Sequence, residues 1–234
     1  MDSDQFNDGQ ILASWHANAA PWALAVRQGQ IQSRLLATDR AIVEAVLSRA
    51  PRLVLDIGCG EGWLARALAA HGVTVLGVDA VPELVERARL AGGGEFRLGS
   101  YEQIAAGMTL ARADVVVCNF ALLGRESVEG LIRSMPRLMG ARATLVIQTL
   151  HPLVACGEHP YCDGWRAGSW DGFDAAFSPA PWYFRTLDSW LRLLVAHGLR
   201  VLEMREPLHP QTARPASVIF IAELDATLHP TDDV

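Results

Sequence analysis

The chain has 234 residues, of which 50% are hydrophobic, and its formal net charge at pH 7 is −6. This composition suffices for one large core, and the negative charge argues against nucleic acid as the main partner, because a phosphate backbone requires a basic surface. Four cysteines do not make a disulfide framework in a chain of this length, and neither a signal segment nor an apolar run of bilayer length occurs, so we expect a cytoplasmic protein that does not bind membranes.

The first 50 residues lack strand character and are predicted to form a helical cap. Their apolar residues are scattered, as on short helices. The apolar residues from Asp39 to Ser48 fall on one helical face, which predicts a helix there. Thr38 stands directly before it and is a residue type that can cap a helix. Pro51 then ends the helical pattern.

From residue 52 to about 150, apolar runs alternate with helical patterns. The apolar runs lie at 53–57, 73–78, 114–118 and 143–149, with a weaker one near 95–98. The helical patterns lie at 62–70, 81–90 and 126–138, with a short one at 101–106. Strands that are apolar on both faces and separated by helices predict an α/β fold, a doubly wound parallel sheet with helices on each side.

The alternation stops between 151 and 185, a segment rich in Gly, Pro, Trp and Tyr without a clear period. Long irregular segments inside a compact domain are usually functional, so we interpret this one as a lid that is inserted after the fifth strand. A helix at 187–197 and strands near 199–205 and 217–223 follow. The α/β domain is therefore predicted to span 51–225, and 226–234 is a polar tail.

Glycines stand at the junction between the first predicted strand and the first predicted helix. The fragment VLDIGCGEGWLARAL, residues 54–68, places Gly58, Gly60 and Gly62 there in a GxGxG pattern. Glycine permits positive φ and lets the backbone approach a ligand closely, and open α/β sheets bind ligands at the carboxyl ends of their strands. The pattern alone is a weak indication of a ligand-binding turn.

Two carboxylates strengthen and refine this interpretation. Asp79 ends the next apolar run, about twenty residues after the glycines, where an acid can bind a ribose diol. Asp56 precedes the first glycine by two residues, and its charge would repel a pyrophosphate but suit an ammonium group. S-adenosylmethionine therefore fits this turn better than a dinucleotide does.

The same residues resemble a known family. VLDIGCGEGWLARALAAHGVTVLGVDA is similar to the first two motifs of the class I S-adenosylmethionine-dependent methyltransferases, with the D-x-G-x-G-x-G core matched from Asp56 to Gly62. FRLGSYEQI, ADVVVCNFALL and RLMGARATLVIQTLHP follow in the order of the later motifs. The likeness spans roughly residues 50–225 and is greatest to the ubiquinone/menaquinone-biosynthesis-like group of small-molecule methyltransferases.

The resemblance implies a mostly parallel, seven-stranded, Rossmann-like sheet and a set of residues that bind S-adenosylmethionine. In this chain they are Arg34, Asp56, Gly58, Cys59, Gly60, Asp79, Ala80, Ser100, Tyr101, Glu102 and Asn119. It further implies that Asp79 holds the ribose hydroxyls and that Asp56 helps to place the ammonium group, directly or through a water molecule. The backbone at Gly58–Gly60 and Asn119 would lie against the amino-acid part of the cofactor, and Arg34 would bind its carboxylate.

The chain departs from the family pattern where the adenine is expected to bind. The family often has an acid after the third strand, and Ser100 stands at that position here. The resemblance implies that the border of the adenine is formed by residues 100–102. A backbone contact or the carboxylate of Glu102 would then replace the missing acid.

The implied reaction is an in-line transfer of a methyl group to an O-, C- or N-nucleophile of a small molecule. Such a reaction needs alignment of the reactants above all, and a positioned base helps where the nucleophile carries a proton. His151 follows the fifth strand and His209 follows the sixth, so both are candidate bases at the edge that carries the glycines, provided that these strands are parallel. The oligomeric state is expected to be monomer or homodimer.

Several alternatives remain open at this stage. An NAD(P)-dependent oxidoreductase would require a third glycine at position 63, where Trp63 stands. A module that only binds the adenosyl ligand would lack a substrate cavity. The histidines and cysteines in H-x4-C-x2-H-x2-C could ligate zinc, but we predict no metal, since the spacing matches no known site. Tryptophans outside the sheet motifs suit either packing or an apolar substrate pocket; they are Trp15, Trp22, Trp165, Trp170 and Trp182.

Overall fold

The computed structural model describes residues 6–168 and 177–226. Its helices are α1 Asp8–Arg27, α2 Asp39–Leu47, α3 Trp63–Ala69, α4 Pro82–Ala91, α5 Tyr101–Ala105, α6 Glu126–Arg133, α7 Met135–Leu138, α8 Pro152–Ala155 and α9 Leu187–Ala196, with a π-helical turn at Arg34–Thr38. Its strands are β1 Leu53–Ile57, β2 Thr74–Asp79, β3 Glu95–Leu98, β4 Ala113–Asn119, β5 Met139–Thr149, β6 Gly164–Arg166, β7 Trp182–Phe184, β8 Leu199–Arg205 and β9 Val218–Leu224. Trp170 and the predicted tail from residue 227 onward lie outside the described residues.

Seven strands form one sheet in the order β3-β2-β1-β4-β5-β9-β8. β1 to β5 are mutually parallel, whereas β9 is antiparallel to both of its neighbours. β8 therefore has the same direction as β5. The prediction of a mostly parallel, doubly wound sheet of seven strands is confirmed.

The helices cover both faces of this sheet. One face buries Leu55 and Ile57 of β1 against α5, α6, α7 and α9. The other face buries Val54 of β1 against α2, α3 and α4. Successive side chains of a strand point to opposite faces, so a strand buried on both faces is apolar at nearly every position. Asp56 is the exception in β1, and it is buried.

The N-terminal region differs from the expected group of short helices. α1 is a single helix of 20 residues, and Asn7 begins it with a capping box that includes Gln10. Six alanines, the strongest helix formers, stabilise it although its apolar residues do not form one stripe. Ala19 and Ala23 pack on Val81 and on Leu84 of α4, so α1 lies over the carboxyl end of β2.

Two further expectations about secondary structure were wrong in detail. The helix predicted at 126–138 is divided at Ser134 into α6 and α7, because Pro136 cannot continue the hydrogen-bond pattern of α6. The segment 151–185, for which no regular structure was expected, contains α8 and an antiparallel pair formed by β6 and β7.

Within the described part of the chain, no helix has the length and apolar character needed to cross a bilayer.

Candidate functional site

A cavity of about 450 Å³ opens at the carboxyl edge of the parallel strands, beneath α1. β1, β2, β4 and β5 all end at this edge, so the residues that follow them are brought together. Ten of the eleven predicted cofactor residues line the cavity: Arg34, Gly58, Cys59, Gly60, Asp79, Ala80, Ser100, Tyr101, Glu102 and Asn119. Asp56 is not among the lining residues.

The turn after β1 can be formed only with glycine at its first position. Gly58 has φ +78°, and a Cβ atom there would lie 2.4 Å from the Cβ of Ala121. The N–H groups of Gly58 and Cys59 both donate to the carbonyl of Val78, at 2.8 and 3.1 Å. Gly60 has φ +57° with nothing within 4 Å of its Cβ position, so the backbone here borders open space that a ligand can fill.

Asp79 fastens this turn to the end of β2. Its carboxylate accepts hydrogen bonds from the N–H of Gly60 at 2.8 Å and of Val81 at 2.9 Å. Burial raises the pKa of Asp79, and the backbone N–H groups that it accepts oppose that rise. Asp79 therefore holds the glycine turn in place and lines the cavity at the same time.

Asp56 is a buried carboxylate that no described residue neutralises. It is 2% exposed, and we find no hydrogen bond or ion pair to its side chain among residues 6–168 and 177–226. Burial, and secondarily the charge of Asp79, raise the pKa of Asp56 to about 7. A cationic group bound beside it would stabilise its ionised form, as an ammonium group would.

We expect this carboxylate to make both stability and ligand affinity depend on pH. The pKa of Asp56 rises from 3.8 to about 7 on folding. The stability that Asp56 contributes to the ligand-free protein is therefore fully present below pH 3.8 and is lost as the pH rises through about 7. Binding of an ammonium group requires the ionised form. The affinity for S-adenosylhomocysteine should therefore fall as the pH is lowered below 7, by up to about tenfold per pH unit.

Titration calorimetry between pH 5.5 and 8 measures this dependence, and Asp56→Asn is the matched control because it keeps the shape without the titration. The variant should bind more weakly at pH 8 and show a flatter profile. Identical pH profiles for both proteins would show that Asp56 does not contact the ammonium group.

Arg34 lies in the π-helical turn that precedes α2. Its Nε donates to Asp39 at 2.9 Å, and its guanidinium stacks over the ring of Trp63 at 4.6 Å. Its two Nη atoms make no hydrogen bond to any described residue. Arg34 is 8% exposed and lines the cavity, so its fixed guanidinium has two nitrogens available for a carboxylate.

A buried amide network orients Asn119 at the end of β4. Gln148 of β5 donates from Nε2 to the Oδ1 of Asn119 at 2.7 Å and to the carbonyl of Thr38 at 3.1 Å, and it accepts from Ser217 at 3.1 Å. The Nδ2 of Asn119 is thereby left as a donor. Phe120 follows with φ +51°, a conformation rare for a bulky residue, and it also lines the cavity.

The residues expected to border the adenine lie at the N-terminus of α5. Ser100 caps this helix, since its hydroxyl accepts from the N–H of Gln103 at 3.3 Å. The hydroxyl of Tyr101 donates to the carbonyl of Ala121 at 3.0 Å, and burial raises its pKa well above the usual value. Tyr101 therefore stays protonated and connects the start of α5 to the segment that follows β4, rather than acting as a base.

Neither of the two predicted bases lines the cavity. β8 is parallel to β5, so His151 and His209 do follow strands that end at the same edge. His151 is 1% exposed, its Nε2 lies 2.8 Å from the Oε1 of Glu206, and its Nδ1 is buried without a partner. The ring of His209 is half-buried and receives a long hydrogen bond from the N–H of Gln211. Direct contact of either ring with the cavity is not seen.

Sequence reasoning missed several residues that form the cavity wall, among them Asp8, Glu61 and Phe120. Asp8 accepts from the N–H of Arg125 at 2.8 Å and of Ser127 at 2.6 Å, which lie more than a hundred residues away, so no local pattern could indicate it. Glu61 pairs with Arg66 at 2.6 Å and with Arg27 at 3.3 Å, and neither separation is one of the helical spacings that would indicate an ion pair from sequence. Among the described residues, no cluster of His, Cys, Asp and Glu has the geometry of a metal site.

Comparison with known proteins identifies the family. A family model described as a methyltransferase domain matches residues 28–204, which include the glycine turn, the strands from β1 to β7 and all but the last residue of β8. The chain belongs to the class I S-adenosylmethionine-dependent methyltransferases. This result agrees with the resemblance of the first two motifs of the chain to that family. It also separates the chain from the dinucleotide-dependent oxidoreductases.

Individual methyltransferases agree with this assignment. The ubiquinone biosynthesis O-methyltransferase of Xanthomonas oryzae pv. oryzae (strain PXO99A) is 36% identical over 114 residues, 47% of each chain, so this chain matches about half the length of that relative. The structure of an S-adenosylmethionine dependent methyltransferase from Mesorhizobium loti has a TM-score of 0.58 at 22% identity, covering 77% of this chain and 97% of its own. The glycopeptide N-methyltransferase MtfA, solved with S-adenosylmethionine, has a TM-score of 0.62 at 14% identity, covering 78% and 92%. The two structures share the fold of this methyltransferase.

Proposed function

We propose that this chain transfers a methyl group from S-adenosylmethionine to a small-molecule acceptor. The observation that carries the proposal is the arrangement of three charged groups around one glycine turn. Asp79 anchors the turn, Asp56 is a buried carboxylate without a partner, and Arg34 presents two unoccupied nitrogens. Their charges complement a diol, an ammonium group and a carboxylate, which S-adenosylmethionine carries together.

The residues present fit this cofactor, and each has a separate task in binding it. The cofactor supplies a methyl group that its sulfonium has already activated for displacement. Asp79 accepts hydrogen bonds from the ribose, and Arg34 holds the carboxylate. Asp56, which is buried and does not itself line the cavity, attracts the ammonium group directly or through a water molecule. The Nδ2 of Asn119 donates a hydrogen bond to the amino-acid portion. Fixing the donor in this way provides the alignment that accounts for much of the rate, on the order of 7–11 kcal/mol in well-oriented systems.

The lining of the cavity favours an enzyme over a protein that only binds the methyl donor. The lining of the cavity also includes Leu12 of α1, Leu123 after β4 and Leu150 after β5. Apolar side chains of this kind favour an acceptor with an apolar body, which a module that binds only the donor would not need. A location in the cytoplasm and a monomeric or homodimeric state remain predictions from the sequence.

Removal of the Arg34 guanidinium tests the binding proposal. Arg34→Ala should weaken S-adenosylhomocysteine binding by about 1.5–3 kcal/mol, the scale of a hydrogen bond to a charged group. Arg40→Ala is the matched control, because Arg40 lies in the adjacent α2 and pairs with Glu44 on the surface. Equal affinities of the two variants in titration calorimetry would refute the role of Arg34. Failure of the unmodified protein to bind S-adenosylhomocysteine would refute the proposed function.

Of the two candidate bases, we favour His151. Glu206 holds its Nε2 at 2.8 Å, which leaves the Nδ1 lone pair as the proton acceptor, and the preceding residue, Leu150, lines the cavity. Because the ring is buried, a proton would reach it through a water molecule or after a small movement of this segment.

With an acceptor found by a screen for methyl transfer, His151→Asn should lower turnover by about 10²-fold or more, the scale of general-base catalysis, with S-adenosylhomocysteine affinity unchanged. Glu206→Gln should lower turnover less than His151→Asn does, and it should shift the pH profile of turnover. It is a second test of the pair in case His151→Asn does not fold. His209→Asn is expected to have the smaller effect of the two histidine variants. Full turnover in both His151→Asn and Glu206→Gln would exclude this pair from the reaction.

A further inference from the structure

Three polar side chains lie together on one face of the sheet, at the edge where β4 and β5 end. Asn119 of β4 is paired with Gln148 of β5, which is paired with Ile219 of β9, and paired residues of neighbouring strands share a face. Ser217 stands two positions before Ile219 and so shares that face as well. The rest of this face is apolar and buried, so these polar groups have to satisfy one another.

The side-chain amide of Gln148 uses its nitrogen and its oxygen fully. Its Nε2 donates to the carbonyl of Thr38 at 3.1 Å and to the Oδ1 of Asn119 at 2.7 Å, and its Oε1 accepts from the hydroxyl of Ser217 at 3.1 Å. The carbonyl of Thr38 can only accept a hydrogen bond, so it determines which way the Gln148 amide faces. Asn119 must therefore turn its oxygen to Gln148, and its NH₂ group is left for the cavity that Asn119 lines.

The same amide also attaches the turn that carries Arg34 to the sheet. Thr38 is the last residue of the π-helical turn that begins at Arg34, and the N–H of Asp39 closes that turn on the carbonyl of Arg34. The carboxylate of Asp39 accepts from the Nε of Arg34. The hydrogen bond from Gln148 to Thr38 therefore fixes the end of the turn from which the guanidinium of Arg34 is held.

From this geometry we propose that Gln148 is the positioning residue for the amino-acid portion of the methyl donor. It is buried and does not line the cavity, but one amide group on a central strand supports both Arg34 and Asn119, which do. The inference rests on the proposed function, in which these two side chains bind that portion. Asp79, which would bind the ribose, is held separately by the N–H groups of Gly60 and Val81. Gln148 should thus govern recognition of one part of the donor and leave the other part unchanged.

Two ligands that differ in the amino-acid portion test this proposal. S-adenosylhomocysteine carries that portion, and 5′-methylthioadenosine has the same nucleoside and a thioether without it. Gln148→Met keeps the length of the side chain but removes the amide. In titration calorimetry the variant should bind S-adenosylhomocysteine about tenfold or more weakly, whereas its affinity for 5′-methylthioadenosine should change less than about threefold. Equal losses for the two ligands would overturn the proposal, since a purely structural role would affect both alike, and so would an unchanged affinity for S-adenosylhomocysteine.

Two further single variants serve as control and as a milder test. Thr144 lies on the same face of β5, four residues before Gln148, and its buried hydroxyl has no partner among the described residues, so Thr144→Val should change neither affinity. Ser217→Ala removes only the bond to the Oε1 of Gln148, and it replaces Gln148→Met if that variant does not fold. It should weaken S-adenosylhomocysteine binding about three- to tenfold and leave 5′-methylthioadenosine binding unchanged. An equal effect of Ser217→Ala on both ligands would contradict the proposal.

A double variant tests whether Gln148 acts through Asn119. When Asn119→Ala is already present, Gln148→Met should cost less S-adenosylhomocysteine affinity than it does in the unmodified protein, because part of its effect has been removed. Losses that multiply fully would show that the two residues act independently and would overturn the proposal. Binding of S-adenosylhomocysteine by the unmodified protein is measured first, so that failure of the proposed function is recognised separately.

Discussion

Gly58→Ala is expected to destabilise the protein by about 2–5 kcal/mol and to lower its affinity for S-adenosylhomocysteine at least tenfold. The left-handed backbone accounts for about 1–2 kcal/mol, and overpacking accounts for a further 1–3 kcal/mol or so. The overpacking arises because the new Cβ would lie 2.4 Å from the Cβ of Ala121 and 3.1 Å from the hydroxyl of Tyr101. Urea unfolding and titration calorimetry measure the two effects.

Gly72→Ala is the matched control for this variant. Gly72 has φ +80°, close to that of Gly58, but its Cβ position has nothing within 4 Å. It should therefore show the backbone cost alone, with unchanged ligand affinity. Equal losses of stability in the two variants would show that the close approach of Ala121 has no energetic consequence, and the described packing of the turn would be wrong.

Asp79→Asn is expected to weaken S-adenosylhomocysteine binding by about 1.5–3 kcal/mol, roughly ten- to hundredfold. The carboxylate accepts from the N–H groups of Gly60 and Val81, and an amide would turn its NH₂ group toward one of these donors. The turn would lose one of its attachments, and the ribose would lose a charged acceptor. The variant should also unfold at a lower urea concentration.

Asp114→Asn is the control that distinguishes a direct effect on ligand binding from an effect on the stability of the fold. Asp114 accepts from the N–H groups of Arg52 and Leu53, at 2.8 and 2.9 Å, at the amino edge of the sheet and therefore away from the cavity. The backbone N–H groups of Leu53 and Arg52 lower the pKa of Asp114, so folding favours its ionised form, whereas burial raises the pKa of Asp79. A comparable loss of ligand affinity in Asp114→Asn would mean that Asp79 acts only through general stability.

The part of this fold that could be predicted from sequence depends on short-range regularities. Apolar runs indicate the strands, and glycines indicate the turn after β1, in each case from neighbouring residues alone. The spacing between Gly58 and Asp79 is the length of one helix and one strand, α3 and β2. Parallel strands then bring these residues to a single edge, so ten of the eleven predicted cofactor residues could be placed at one cavity.

The rest depends on contacts between distant residues. Asp8 reaches Arg125 and Ser127 across 117 and 119 positions, and Asn18 donates to the carbonyl of Ser178 across 160. Neither contact leaves a periodic pattern in the sequence. His151 was correctly placed at the edge of the sheet, but its burial against Glu206 depends on the path of the chain after β8.

A crystal structure of the protein with S-adenosylhomocysteine tests the central claim most directly. We predict that the ribose hydroxyls will lie within hydrogen-bond distance of the Asp79 carboxylate and that the ammonium group will lie on the side of Asp56. The carboxylate should contact the Nη atoms of Arg34, and the sulfur should face the apolar wall that includes Leu123. A ligand bound outside this cavity, or a ribose without contact to Asp79, would contradict the account.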